Sequence, residues 1–150
     1  MIGDSRYPPV SFHYVVTLER FPSAEHDFRF QSVSGLSATL GTEDLSEGGQ
    51  NTYKYKMPSK TSYNNLILKR GILLNSRVIK WCEDALLNYE FQTSNLTVSL
   101  LNNKHLPLIN WYVVDAYPVK WEVSELNAER NEIAIETIEL AYKYFKTLRL

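Results

Sequence analysis

The sequence predicts a mainly β fold with one flanking α-helix. Aromatic residues make up 13% of the chain, ten of them tyrosines, and aromatic and β-branched side chains fit a pleated, half-buried surface. Apolar and polar residues alternate with period two from one end to the other, whereas one segment carries a clear helical stripe. Glycines and prolines punctuate the alternating runs at the places where turns are needed.

The first strand is VSFHYVVTL, where Val10, Phe12, Tyr14, Val16 and Leu18 alternate with Ser11, His13 and Thr17. FPSAEHD follows as a polar turn containing Pro22. DFRFQSVSG is the second strand candidate, with Gly35 marking a turn or bulge, and SATLGTEDL is a third, interrupted by Gly41. EDLSEGGQNTYKYKMPSKTSYNN is a long polar stretch in which Gly48 and Gly49 give the backbone freedom of a turn. Beyond that turn Tyr53, Tyr55 and Met57 alternate with Lys54 and Lys56. This reads as a short strand whose lysines discourage indiscriminate edge pairing, and Pro58 is expected to end its ladder. NLILKRG is another strand, closed by Gly71.

The helix is NSRVIKWCEDALLNYE. Val78, Ile79, Cys82, Ala85 and Leu86 form one apolar stripe, while Lys80, Glu83 and Asp84 point elsewhere. Asn75 is the expected N-cap and Asn88 lies near the end. SNLTVSLLN returns to strand alternation, with Leu96, Val98 and Leu100 against Thr97 and Ser99. NWYVVDAYPVKW is apolar on both faces, which reads as a strand buried on both sides, with a break or edge position at Pro118. Seven or eight strands and one helix are expected.

NEIAIETIELAYKYF, residues 131–145, fits two periods. Ile135, Ile138, Tyr142 and Phe145 have helical spacing, which would put Glu132, Glu136 and Glu139 on one face. Ile133 and Ile135, then Ile138, Leu140, Tyr142 and Tyr144, have strand spacing with one slip in phase near Thr137. Spacing alone leaves both readings open. A β-bulge near Thr137 would account for the slip, because one extra residue swaps the faces. The strand-like surroundings favour that reading, with Ile135 facing the core.

Bulk properties set limits on function. A chain of 150 residues suits a single domain spanning residues 1–150. With 16 basic and 17 acidic residues and a net charge of −1, nothing draws the whole molecule to nucleic acid or an anionic membrane. Cys82 is the sole cysteine, so no internal disulfide forms. It reads as a small buried hydrophobe in a reducing compartment. No signal-peptide pattern and no long apolar run appears, so synthesis and folding in the cytosol are expected. His13, His26 and His105 lack metal-ligand spacing, and no nucleophile-elbow or phosphate-loop motif is present. Glu43, Asp44 and Glu47 read as a solvated loop rather than a cation site. The Tyr53-Lys54-Tyr55-Lys56 run interleaves aromatic and basic residues as single-strand binders do, yet a protein contact explains it better in a chain so nearly neutral. No catalytic residue, cofactor or metal ligand is assigned.

Taken in order, FQSVSGLSATLGTEDLSEGG, PSKTSYNNLILKRG, WCEDALLNYE, LTVSLLN and WYVVDAYPVKWEVSELNAERNEIAIETIELAY resemble the tail tube proteins of T4-type contractile phages. The resemblance is closest to the relatives that form the inner tube of contractile injection systems, and it covers nearly the whole chain. It implies a compact β-barrel or sandwich with a flanking helix. It further implies rings of six copies, joined into one sheet around a channel and stacked into a hollow tube, with no catalytic site and no cofactor. The stretch 43–60 would supply the contact loop between rings and subunits, through Glu43, Asp44, Ser46, Glu47, Gly48, Gly49, Gln50, Asn51, Tyr53, Lys54, Tyr55 and Lys56. The C-terminal strand of the ring sheet would carry Ile133, Ile135, Thr137, Ile138, Leu140 and Tyr142.

Implied partners are further copies of the chain, a contractile sheath, baseplate and spike-hub proteins, a tube cap or terminator, and a protein effector or DNA as cargo in the lumen. The particle would be assembled in the bacterial cytoplasm and then released or anchored to a membrane. A tube-initiating ring at the baseplate and a phage virion tail tube share the same signature. A β-rich ligand-binding module with an aromatic pocket is the competing class, distinguished by its failure to assemble.

Overall fold

A computed structural model describes residues 13–20, 29–45, 55–73, 76–129 and 133–149. Among these lie ten strands and one helix: β1 (His13–Leu18), β2 (Arg29–Phe30), β3 (Ser32–Ser34), β4 (Ala38–Leu45), β5 (Tyr55–Tyr63), β6 (Leu66–Gly71), α1 (Arg77–Leu87), β7 (Ser94–Leu101), β8 (Pro107–Val123), β9 (Ile135–Ala141) and β10 (Tyr144–Arg149). All strand pairs are antiparallel.

The strands make two layers that share β8. Its first half pairs with β7 on one edge and β10 on the other, and β1 and β2 continue outward from β7. Its second half pairs with β9, followed by β6 and β3. The change of layer falls at Asp115, whose φ is 54° and whose N–H donates to Asn95 Oδ1 at 3.0 Å. The chain changes layer a second time at Gln31, between β2 and β3, where the Gln31 N–H donates to the Lys69 carbonyl at 2.8 Å. The result is a β-rich sandwich, continuous through β8 and, among the described residues, not closed into a barrel by hydrogen bonds.

Alternation in the sequence becomes burial in the fold. Leu96, Val98 and Leu100 of β7 point inward while Asn95, Thr97 and Ser99 are half-buried. They meet Val16, Leu18, Leu66, Leu68, Val113, Ile138 and Leu140 in one core. The helix closes that core with Val78, Trp81, Cys82 and Ala85. Its N-cap is Ser76, whose hydroxyl accepts the Ile79 N–H at 3.2 Å. Asn75, the expected cap, lies outside the described residues. Asn88 is the C-cap. Cys82 is buried, and burial pushes its thiol up to about 12, which keeps it from acting as a nucleophile.

Several expectations are corrected. DFRFQSVSG is not one strand, because β2 and β3 belong to different layers. Pro58 does not end its strand: β5 runs on to Tyr63, with Pro58 opposite Thr42 beside a register shift that begins after Leu40. Pro118 does not break β8, which continues to Val123. The edge alternative holds, because among the described residues β8 is unpaired on one side beyond Ala116, and a register shift falls between Pro118 and Lys120. Irregularities of this kind are where a ladder tolerates proline.

Residues 135–141 form a strand, so the helical period is not realised. β9 itself carries no bulge near Thr137, since its register against β6 runs unbroken from Ile135 to Leu140, and the register shift opposite Glu139 and Leu140 lies in β8. The inward residues of β9 are Glu136, Ile138 and Leu140. The slip in apolar phase arises because an inward position is a glutamate, so Ile135 points away from the core. Ile135→Lys is therefore expected to cost only about 1 kcal/mol, as at other positions outside the core. Thermal unfolding of the isolated subunit checks this.

Candidate assembly surfaces

The β4–β5 hairpin stands apart from the eight-stranded sheet as its own two-stranded unit. Nearly every residue along it is exposed, including the apolar Leu40, Leu45, Tyr55 and Met57. Of the expected contact-loop residues, Glu43 lies opposite Met57, Asp44 opposite Lys56, and Tyr55 opposite Leu45. Ser46, Glu47, Gly48, Gly49, Gln50, Asn51, Tyr53 and Lys54 fall outside the described residues. The exposed apolar Leu40, Leu45 and Met57 are not among the expected contact residues, although they are visible in the sequence within an otherwise polar run.

The base of the hairpin is held by aromatic packing. The Tyr63 ring centroid lies 5.9 Å from Tyr142 and 5.5 Å from Phe145. The Tyr142 hydroxyl donates to the Gly35 carbonyl at 3.2 Å. The hairpin thus leaves the body in a direction set where β3 ends and where β9 passes into β10.

The expected C-terminal residues do not share one surface. Ile138 and Leu140 are in the core, Ile135 and Thr137 lie on the opposite face of β9, Ile133 precedes the strand and is exposed, and Tyr142 follows it. Both edges of β9 are occupied, by β6 and by β8. The strand therefore offers a neighbour a face and no free edge.

The free edges of this layer lie elsewhere. Among the described residues, no strand pairs with the outer edge of β3 or with the second edge of β8 beyond Ala116. The Ser124 N–H donates to the Ile135 carbonyl at 2.8 Å, so alternation aims the N–H groups of Trp121 and Val123 away from β9. On β6 the Ile72 N–H donates to the Ala134 carbonyl at 3.0 Å. The same alternation sends the N–H groups of Ile67 and Lys69 towards Ser34 and Ser32 of β3, leaving that of Val33 on its outer edge.

One face of this four-stranded layer packs on the core and α1. Among the described residues nothing covers the other face, and its cross-strand rows are Ser34, Ile67, Glu139 and Lys120, then Ser32, Lys69, Thr137 and Glu122. Among the described residues no acidic, histidine or cysteine group could hold a metal ion, and no helix is long and apolar enough to cross a membrane.

A sheet with unpaired edges and a projecting hairpin has the equipment of an assembly subunit. The chain matches the family of the T4-like virus tail tube protein gp19 over residues 10–146, and it belongs to that family. Membership makes it a structural protein rather than an enzyme.

Its fold matches a chain of the six-fold symmetrised anti-feeding prophage baseplate, with a TM-score of 0.82 and 31% identity over 95% of this chain and 97% of that one. A chain of the anti-feeding prophage tube-terminating cap matches at 0.79 with 26% identity, over 96% and 93% of the two chains. A chain of the sheath–tube complex of PVC, an extracellular contractile injection system, matches at 0.81 over 97% and 95%. Its 24% identity speaks for the fold alone. A search of the curated proteins finds no match.

Proposed function

We propose that this chain is the repeating subunit of the inner tube of a contractile injection system, forming six-fold rings that stack around a channel. The observation that carries this reading is the pair of free edges on the β3–β6–β9–β8 layer. Because the layer has four antiparallel strands, an even number, its two edge strands run in opposite directions. The β8 edge of one copy can then meet the β3 edge of the next without breaking the alternation. Such a contact is head-to-tail, closes by rotation, and leaves no edge exposed.

The uncovered face lines the channel, since α1 and the first layer occupy the other side and need the wider outer radius. The β4–β5 hairpin makes the contacts between rings. Sheath, baseplate and terminator proteins are the partners, in keeping with the particles in which the similar chains occur. Assembly takes place in the bacterial cytoplasm. A tube-initiating ring is the second reading, favoured by the similarity to a chain in a baseplate structure.

Electron cryomicroscopy of the purified or co-expressed protein tests the proposal. Stacked six-fold rings with backbone pairing across subunit borders are expected, and self-contained molecules sharing no such pairing would refute it. Val123→Pro and Val33→Pro each remove an outward N–H from a different edge. Both variants are expected to unfold cooperatively as monomers and to give no rings. Rings from both would show that these edges are not the joint.

A further inference from the structure

We propose that the wall of this channel is electrically self-neutral and suited to polypeptide cargo of either net charge rather than to a polyanion. The inference rests on the ring reading above, in which the uncovered face of the β3–β6–β9–β8 layer lines the bore.

Each of the two rows across that face carries one lysine and one glutamate: Lys120 with Glu139, and Lys69 with Glu122. The charges also alternate within the rows and along the strands. Glu139 lies directly opposite Lys120, and Lys120 Nζ is 3.1 Å from Glu122 Oε2 on the same strand. Glu139 further accepts a hydrogen bond from Asn65 Nδ2 at 3.3 Å.

The direct cross-strand neighbours Glu139 and Lys120 sit about 5 Å apart, and the diagonal neighbours Lys69 and Glu139 about 7–8 Å apart, inside a screening length of about 8 Å at physiological salt. Opposite charges that close cancel before their field reaches the axis. A wall of a single sign would instead focus a field along the whole bore.

The consequence for a polyanion follows from where lysine's binding power originates. Lysines hold nucleic acid largely by releasing mobile counterions. Those ions are the cations condensed on the nucleic acid, and lysines already paired with glutamates fixed to the same wall displace few of them, so a passing phosphate chain gains little. Ile67, Ile135 and Tyr117 interrupt the charges with apolar surface. That mixture resembles an ordinary protein exterior, more than half of which is apolar, and it gives a passing polypeptide many weak contacts and no dominant one.

The test uses assembled tubes and gold clusters of one core size. The clusters are coated with amines, coated with carboxylates, or tethered to a short DNA duplex, and bore occupancy is counted in cryomicroscopy images at low salt. The two coats are expected to enter within about twofold of each other, without enrichment of the DNA-tethered clusters. In tubes of Lys69→Glu/Lys120→Glu, amine-coated clusters should concentrate in the bore by about tenfold, and added salt should abolish the effect. Where that variant does not assemble, Glu122→Gln/Glu139→Gln supplies the opposite bias, towards carboxylate-coated clusters.

A wild-type bore that concentrates either coat, or the DNA, by about tenfold overturns neutrality. Charge variants that assemble with unchanged occupancy overturn the placement of these residues on the wall. A map in which this face lies away from the channel overturns the ring reading itself, and is seen before any cluster is counted.

Discussion

Glu136→Ala is expected to destabilise the isolated subunit by about 3–5 kcal/mol, the usual result of breaking a buried ion pair from one side. Glu136 and Arg70 are 1% and 2% exposed, with Arg70 Nε 3.1 Å from Glu136 Oε2. The Trp121 indole N–H donates to Glu136 Oε1 at 3.0 Å. Arg70 Nη2 donates to the Ser76 hydroxyl at 2.7 Å, and the guanidinium carbon lies 5.0 Å from the Phe30 ring centroid. Removing the carboxylate leaves a buried cation without its counter-charge and deprives an indole N–H of its acceptor. At about 2–4 °C per kcal/mol for a chain of this size, the melting temperature should fall by about 10 °C.

Arg70→Met should cost a similar amount, whereas Arg70→Met/Glu136→Leu should recover most of the loss, since well-packed apolar residues can replace a buried pair. Thermal unfolding followed by tryptophan fluorescence measures all three variants. Single losses that simply add in the double variant would show that the two residues do not act together. The pair also enforces register. A slip of β9 by one residue would carry Glu136 to the uncovered face and part it from Arg70 in the core.

The same pair marks the boundary of what could be read in the sequence. Strands whose apolar alternation is unbroken, such as β7, and the amphipathic α1 were legible because local period and tertiary burial agree. At β9 they disagree. Glu136 occupies an inward position that periodicity assigns to an apolar residue, and its partner is 66 residues away. A local pattern cannot announce so distant a compensation.

Pro58, and Pro118 in so far as it suggested a break, misled for a related reason. A proline ends a regular ladder, but both sit by register shifts whose existence depends on the partner strand. β4 was foreseen in SATLGTEDL, but β5 looked like a short strand within a loop because its residues are polar, and the order of the hairpin comes from pairing and from Tyr63, Tyr142 and Phe145 at its base. The assembly role was legible only through family resemblance. Free edges and the uncovered face are properties of strand order, which joins β3, β6, β9 and β8 from Ser32 to Ala141 and has no signature in any single segment.

Gly35→Ala is expected to be more damaging than a single added methyl suggests, destabilising the subunit by about 4 kcal/mol or more. Gly35 has a φ of +93°, and a Cβ there would lie 1.9 Å from the Asn65 carbonyl oxygen and 3.2 Å from the Leu66 Cα. Both are backbone atoms at the start of β6, so no side-chain rotation relieves the clash. Either β3 or β6 must move, and Leu66 is buried in the core. Gly41 is the contrasting case. Its added Cβ would meet the Ser59 hydroxyl, the end of a side chain that can rotate away, and the Lys60 carbonyl oxygen at 3.0 Å, which a small shift within the two-stranded hairpin relieves, so Gly41→Ala should cost only about 1 kcal/mol.

The position of Gly35 adds a second effect. Its carbonyl accepts the Tyr142 hydroxyl at 3.2 Å and the Ser37 N–H at 2.8 Å, just before the chain enters β4. Displacing it should change the hairpin's direction as well as lower the melting temperature. Gly35→Ala protein held below its own transition should therefore still fail to stack rings, whereas Gly41→Ala should stack normally. A Gly35→Ala subunit that melts and assembles as the wild type does would show that the β3–β4 junction does not run against β6.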